Sequence, residues 1–194
     1  MRERQFNIIV GAPGSGKSTF TANVCNKLPE NVIIYKHIAN IDDKAFAAFP
    51  VKTMDNWRQG AKPGHPVKCK FAGQESDYRP FLQWVKNNYR NGALIIDDCT
   101  IFERDRLTLE MNHLVTMRRH YGIDIYLIYH GLSLLPIEQF IFLNKLVIFN
   151  TTDNFQYKIK KIPNVENINH AVNQARLNRQ NEKTRFTPVI VKIN

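Results

Sequence analysis

The stretch GAPGSGKST, residues 11–19, follows the apolar run FNIIV and precedes a segment with the apolar spacing of a helix. Residues 11–18 match the pattern G-x-x-x-x-G-K-[ST]. Glycines in such a turn let the backbone curl until successive N–H groups point at phosphate oxygens, and the positive end of the following helix adds to the attraction. The chain is therefore expected to build a strand–loop–helix unit that binds phosphate.

Two side chains of this loop have specific predicted roles. Lys17 is expected to reach the β- and γ-phosphates of a nucleoside triphosphate, and the Ser18 hydroxyl is expected to ligate Mg²⁺. ATP and Mg²⁺ are therefore the predicted cofactors. The residues of the loop predicted to bind the nucleotide are Gly11, Ala12, Pro13, Gly14, Ser15, Gly16, Lys17, Ser18 and Thr19.

Two adjacent carboxylates end a second apolar run, ALIIDD, at residues 93–98. Asp97 is predicted to hold the metal through water, as a Walker B aspartate does. Asp98 is predicted to orient or deprotonate an attacking water, and the alternative is that it caps the turn after the strand. The pair of acids favours transfer of a phosphoryl group to water over transfer to a small molecule.

A third apolar run, IDIYLIYH, ends in a polar side chain at His130. If this strand lies between the loop strand and the strand that carries Asp97, His130 comes to the same sheet edge as the phosphates. It can then sense whether the γ-phosphate is present. The alternative is a histidine that serves only the structure at a strand end.

Short apolar runs alternate with helical patterns, which predicts an α/β fold with a mostly parallel sheet. Together with the loop, this indicates a P-loop NTPase, a three-layer sandwich of the RecA/ASCE type. Residues 1–150 are predicted to form the ATPase core, and residues 151–194 a short basic C-terminal extension packed on the core or on a neighbouring subunit. Predicted strands are 6–10, 31–37, 67–73, 93–99, 123–130, 145–150 and an edge strand 155–162; predicted helices are 17–28, about 42–49, 78–89, 106–120 and 165–180.

The charge balance bears on partners. The net charge is +10, and residues 153–194 contain eight Lys and Arg against three Asp and Glu. Such a balance favours a polyanionic partner through non-specific attraction.

Three scattered cysteines indicate a reducing compartment. The start of the chain does not resemble a signal peptide, and residues 123–149 are too interrupted by polar side chains to span a membrane. We therefore expect a cytoplasmic protein, or a virion component if it is viral, without membrane insertion.

The segments GAPGSGKS, LIIDD, RRHYGIDIYLIYHGLSLLP and KLVIFN together resemble the FtsK–HerA class of P-loop ATPases over about residues 6–150. Within that class the chain is most similar to small viral genome-packaging ATPases and to the ATPase domain of zonula-occludens-toxin-like phage assembly proteins. It departs from the class at Asp98, where a glutamate is usual, and at His130, where glutamine is common. The toxin-like relatives carry a membrane helix, so its absence from this sequence favours the packaging type.

The resemblance implies a ring, often a hexamer, that pulls DNA through a central pore by hydrolysing ATP, and it allows a capsid or portal component as a further partner. Such rings complete each site with an arginine of the next subunit, which stabilises charge on the transferred phosphoryl group. Arg118 and Arg119 are the candidates, with Arg104 and Arg106 as alternatives. Arg118 and Arg119 are otherwise cations favoured at a helix C-terminus.

DNA contacts of such a motor should be to phosphates, because it must move any sequence. A loop and the tail of the chain offer cations for this, although the loop is alternatively an ordinary solvated surface. The loop candidates are Trp57, Arg58, Lys62, His65 and Lys68. The tail candidates are Lys158, Lys160, Lys161, Arg176, Arg179 and Arg185.

Two rival functions remain open from the sequence. A nucleotide or metabolite kinase fits the size and the loop, but no clear arginine-rich lid is present and the acid pair is less expected there. A filamentous-phage assembly ATPase that acts at a membrane through a partner fits the resemblance.

Overall fold

The computed structural model describes residues 3–57, 66–103, 106–151, 162 and 164–193. Within these ranges, the strands are β1 Phe6–Val10, β2 Asn31–His37, β3 Lys68–Gly73, β4 Gly92–Ile96, β5 Ile123–Tyr129, β6 Lys145–Ile148 and β7 Val189–Lys192. The α-helices are α1 Lys17–Lys27, α2 Glu75–Asn88, α3 Cys99–Phe102, α4 Leu109–Tyr121 and α5 Val165–Gln180, and 3₁₀ turns occupy Ile38–Asn40, Lys44–Phe46, Leu132–Leu134 and Ile137–Ile141.

The strands of the described chain form one sheet in the order β3-β2-β4-β5-β1-β6-β7. All neighbours pair in parallel except β7, which runs antiparallel to β6. Strand β5 lies between β1 and β4, which confirms the strand order on which the prediction for His130 depends. The carboxyl ends of these three strands therefore meet at one edge of the sheet.

Both faces of the sheet are covered, as the continuous apolar character of parallel strands requires. Alternate residues of each strand point to opposite faces; in β1, for example, Ile8 belongs to one core cluster and Ile9 to the other. Helix α1 covers one face, and α2, α4 and α5 cover the other. The predicted three-layer α/β sandwich is confirmed.

Local signals set element ends that differ from the predicted ones. Helix α2 begins at Glu75 and not near Pro80, because Gln74 and Asp77 form a capping box upstream. The segment predicted as a helix at about 42–49 contains only the 3₁₀ turn Lys44–Phe46, which starts where the Asp43 side chain accepts the Ala45 N–H. The predicted strand at 155–162 falls almost entirely outside the described residues.

The tail of the chain packs on the core. Helix α5 buries Ile168, Ala171, Val172 and Ala175 in the same cluster as the strands. Strand β7 adds to the sheet beside β6. Among the described residues, every helix is too short or too polar to cross a lipid bilayer.

Glu103 is a buried acid that joins three helices behind the sheet edge. It follows α3, and its carboxylate accepts hydrogen bonds from the Tyr78 hydroxyl of α2 at 2.8 Å and from the Thr108 N–H and hydroxyl at the start of α4, at 2.5 and 2.9 Å. Burial raises the pKa of Glu103 from 4.5 to about 7, although these donors favour the ionised form.

This raised pKa predicts a pH-dependent stability. Between about pH 4.5 and about pH 7 the folded chain holds a proton on Glu103 that the unfolded chain has lost, so the free energy of unfolding falls as pH rises, by up to about 3 kcal/mol. Glu103→Gln cannot titrate. The free energy of unfolding of Glu103→Gln minus that of the native chain should therefore increase between about pH 5 and about pH 8, as measured by urea titrations. The exposed Glu182→Gln should show no such trend, and a Glu103→Gln difference independent of pH would contradict the assignment.

Candidate active site

The predicted phosphate-binding loop connects the end of β1 to the start of α1. Gly16 precedes Lys17 with φ of 96°, a left-handed conformation that strains any residue with a Cβ atom. Gly11 is needed for a different reason, because a Cβ atom there would lie 2.6 Å from Cβ of Phe149. Both glycines are therefore required by the turn that aims the loop N–H groups.

Lys17 is folded back on its own loop. Its ammonium donates to the carbonyls of Gly11 at 2.6 Å and Ala12 at 2.9 Å. Burial lowers the pKa of Lys17, and the nearby carboxylates of Asp97 and Asp98 oppose this effect. The ammonium thus lies at the base of the loop, between the loop backbone and the two aspartates that follow β4.

Asp97 and Asp98 follow β4 directly and face the loop. With Lys17, Ser18 and His130 they line a cleft of about 370 Å³. Asp98 has φ of 60° and stands at the N-terminus of α3, but its side chain makes no capping hydrogen bond to that helix. The alternative in which Asp98 serves only as a cap therefore does not account for where its carboxylate points.

His130 holds that carboxylate. Its Nε2 lies 2.7 Å from Asp98 Oδ1, and the Asn40 amide donates to Asp98 Oδ2 at 3.1 Å. The hydrogen bond from His130 is the main reason that the pKa of Asp98 is lowered, against the opposing effect of burial; the charges of Lys17 and Lys36 lower it further. Asp98 is therefore a fixed, ionised carboxylate at neutral pH.

Lys36 and Asp43 belong to this cleft and were missed by the sequence analysis. Lys36 is fully buried, and its ammonium pairs with the Asp97 carboxylate, lies 3.5 Å from Asp43 and packs 4.4 Å from the centroid of the Phe46 ring. A lysine directly after the run VIIY, inside a predicted strand, was a signal. Its partner was unknown until the sheet paired Tyr35 with Ile96 and so set Lys36 beside Asp97.

Asp43 connects the cleft to the loop. Burial alone would raise its pKa, but the Ala45 N–H, the charge of Lys36 and a hydrogen bond from the Ser18 hydroxyl hold the pKa below its ordinary value. The Ser18 hydroxyl and the carboxylates of Asp43 and Asp97 thus line the same cleft.

Such a donor set fits Mg²⁺, which takes hard oxygen ligands and usually binds to one or two carboxylates plus substrate phosphates. No group of three or more His, Cys, Asp or Glu side chains in the described part of the chain is arranged to hold a metal. Ser18, Asp97 and Asp43 are the residues of this cleft that would hold a metal together with phosphate oxygens.

Comparison with protein families gives a match over most of the chain. The family model of Zonular occludens toxin (Zot) matches residues 6–172. The chain belongs to the Zot family. No curated protein sequence matches it at a significant level.

Solved structures show the same fold in other proteins. The genome packaging NTPase B204 of Sulfolobus turreted icosahedral virus 2 aligns over 100% of this Zot-family chain and 94% of its own, at 17% identity and a TM-score of 0.68 in complex with ATP-gammaS. In its complex with sulfate the identity is 16% and the TM-score 0.72. The N-terminal domain of zonular occludens toxin from Neisseria meningitidis aligns over 78% of this chain and 79% of its own, at 17% identity and a TM-score of 0.51. The fold is that of the P-loop NTPases.

Within the described residues, the arginines that were predicted to complete a neighbouring site do not line the cleft of the same chain. Arg118 is buried, and its guanidinium donates to the carbonyls of Val115 at 2.9 Å and Arg4 at 3.3 Å. Arg119 pairs with Glu3. Both lie beside the amino ends of the strands, whereas the loop lies at the carboxyl ends. Within one chain they are therefore at the opposite end of the strands from the loop. The hydrogen bonds of Arg118 match the alternative of a cation at a helix C-terminus. Of the two other candidates, Arg106 is exposed and Arg104 lies outside the described residues.

The predicted DNA-contacting loop requires a correction. Trp57 is wrong as a DNA contact, because it is buried with its ring 5.3 Å from Trp84 and 5.5 Å from Tyr89, between centroids. The ammonium of Lys68 donates to the carbonyls of Cys25 and Asn26 at the end of α1, both at 2.7 Å. Outside the described residues lie Arg58, Lys62, His65, Lys158, Lys160 and Lys161.

The buried Lys36 makes a prediction about metal binding. Lys36→Met leaves the carboxylates of Asp97 and Asp43 without their cation, which should cost roughly 3 kcal/mol of stability. Mg²⁺ can replace that charge, so excess Mg²⁺ should raise the melting temperature of the variant more than that of the native Zot-family chain. Thermal unfolding with and without Mg²⁺ measures this, with the exposed Lys27→Met as control. Equal Mg²⁺ effects in all three proteins would show that Mg²⁺ does not replace the charge of Lys36 at Asp97 and Asp43.

Proposed function

We propose that the chain hydrolyses ATP to ADP and phosphate and uses the energy to move DNA, as a ring-forming motor of the genome-packaging type. The observation that carries the proposal is the meeting of Lys17, Asp97, Asp98 and His130 in one cleft, from three parallel strands that end at the same edge. Support comes also from B204, a genome packaging NTPase of the same fold whose structures include an ATP-gammaS complex.

The loop binds the triphosphate in this proposal. Its N–H groups and the N-terminus of α1 receive the phosphate oxygens, and the Lys17 ammonium exchanges the carbonyls of Gly11 and Ala12 for the β- and γ-phosphates. Ser18, Asp97 and Asp43 are the residues that would hold Mg²⁺. When bound, the metal neutralises charge on the β- and γ-phosphate oxygens.

Asp98 orients the attacking water. Its lowered pKa makes it a weak base, so accepting a hydrogen bond from water suits it better than removing the proton. His130 and Asn40 grip the two carboxylate oxygens and fix the direction of that acceptor. The water oxygen forms the new bond to the γ-phosphorus as the bond to the ADP oxygen breaks, and both protons of the water leave with the phosphate.

In this proposal His130 also reports the state of the γ-phosphate. Its Nε2 bonds Asp98, and its ring lines the same cleft as Lys17 and Ser18. Departure of phosphate changes the charge in front of the ring, and the hydrogen bond to Asp98 transmits that change to the turn after β4. This is the sensor role that the strand order makes possible.

The partner of the motor is DNA, bound through phosphates without regard to sequence. The net charge of +10 supports this, and Arg179 is an exposed cation on α5. In the ring, often a hexamer, an arginine of the neighbouring subunit completes each site. Arg119 and Arg106, both exposed, are better placed to reach another subunit than the buried Arg118. A capsid or portal component is a further proposed partner.

A second candidate, an ATPase of filamentous-phage assembly, is favoured by the family match itself. This candidate has the same hydrolytic site as the packaging motor and differs in the process that ATP hydrolysis drives. Co-fractionation with a membrane subunit, together with hydrolysis that ignores DNA, would favour it over the packaging motor.

The hydrolytic site predicts the effect of two substitutions. Lys17→Ala should abolish phosphate release, because the charge on the β- and γ-phosphates loses its cation. Asp98→Asn should slow release roughly 100-fold or more, since the amide cannot orient water as the carboxylate does. The exposed Lys27→Ala, at the other end of α1, is the matched control. A phosphate-release assay decides; activity retained in Lys17→Ala, or phosphate found on an added acceptor, would overturn the proposal.

Coupling to DNA makes a separate prediction. At low salt, added double- or single-stranded DNA should increase the rate of ATP hydrolysis several-fold, and the increase should disappear as salt rises, because contacts to phosphates release counterions. The assay compares phosphate release with and without DNA across a salt series. Hydrolysis that is indifferent to DNA at low salt would contradict the motor and leave only the ATPase.

A further inference from the structure

The phosphate-binding loop separates two clefts. The first, of about 370 Å³, contains the acids and His130. The second, of about 670 Å³, lies on the other side of the loop. The two clefts share the loop residues Gly14, Lys17 and Ser18, together with Asp43. A triphosphate that lies along the loop with its γ end among the acids must therefore point its other end into the second cleft.

The second cleft has an aromatic wall from the tail of the chain. Phe186 lines it and packs on the loop, where a Cβ atom at Gly16 would lie 3.2 Å from Phe186 Cδ1. Phe186 is 54% exposed, so the loop covers only part of its side chain. The guanidinium of Arg185 lies 4.7 Å from the centroid of the same ring. A large apolar side chain so exposed contributes little to the core.

The tail holds Phe186 there through α5. The Thr184 hydroxyl donates to the Asn178 carbonyl at 3.1 Å, the Asn178 amide donates to the Thr187 carbonyl at 3.2 Å, and the Thr187 N–H closes the turn on the Thr184 carbonyl at 2.7 Å. These bonds bracket Phe186 on both sides. Because α5 itself is anchored in the core, the aromatic ring has a defined position beside the loop.

We infer that Phe186 is the platform on which the base of the bound nucleotide stacks, and that the second cleft is the base and ribose subsite. The inference rests on the proposed function, in which the loop binds ATP. Stacking on an aromatic face tolerates any base, and a purine covers more of the ring than a pyrimidine. Asn23 and Thr19 line the same cleft and supply polar groups for the base edge and the ribose. The cleft volume lies in the range of small-molecule sites.

The test compares two ligands that differ only by the nucleoside. Binding of AMPPCP and of inorganic tripolyphosphate, each with Mg²⁺, is measured by calorimetry on the whole chain. Phe186→Ala should weaken AMPPCP binding roughly 5- to 100-fold, the range that one base–aromatic stack supplies, and leave tripolyphosphate binding unchanged. Lys17→Ala should weaken both ligands. Leu177→Ala, which removes a similarly exposed side chain from α5 outside the cleft, should affect neither.

A second variant gives a direct signal of stacking. The emission of the indole in Phe186→Trp should change on addition of AMPPCP and remain constant on addition of tripolyphosphate. Equal weakening of both ligands by Phe186→Ala would show that the ring only shapes the loop, and no weakening of either would show that it is not a platform. Loss of binding in Lys17→Ala together with normal AMPPCP binding in Phe186→Ala overturns this inference alone. A native chain that binds neither ligand overturns the proposed function, and the platform with it.

Discussion

Parallel pairing of β5 with both β1 and β4 is the constraint on which the site depends. The pairing sets Val10 beside Tyr129 and Ile96 beside Leu127, so the loop, the acid pair and His130 leave the sheet at one edge. Each strand is buried on both faces, and a register slip of one residue would turn its side chains to the wrong core. The apolar packing of the strands therefore decides which polar groups meet at that edge.

The charges of the polar groups at that edge balance one another. Lys17 bonds the loop carbonyls, Lys36 pairs with Asp97, and His130 and Asn40 hold Asp98. Buried charges require such partners, because an unpaired charge away from water is costly. In the proposed function a triphosphate adds negative charge at the same place, so these pairs are the interactions that its binding would rearrange. The same arrangement keeps the chain folded and leaves its cations available.

The tail of the chain packs on the core, one of the two placements that the sequence analysis left open, and its polar composition alone does not show which. It reads as a polar, basic segment, yet α5 buries four apolar residues, β7 extends the sheet, and the turn between them carries Phe186 to the loop. Trp57 shows the converse error, because an aromatic among cations resembled a surface contact and is instead packed between Trp84 and Tyr89. Composition describes the average environment of a segment, whereas packing is decided residue by residue.

The sequence by itself determined the parts of this protein whose geometry is contiguous. The loop of residues 11–19, the acids that end β4 and the alternation of strands and helices all follow from local pattern, because a turn, a strand end or an apolar face is built from neighbours in the chain. Only the tertiary structure decided that Lys36 meets Asp97, that Asp43 meets Ser18 and that Phe186 meets Gly16. Those contacts join segments far apart in the sequence, and their partners are selected by strand order and by the packing of helices on the sheet, which no local pattern records.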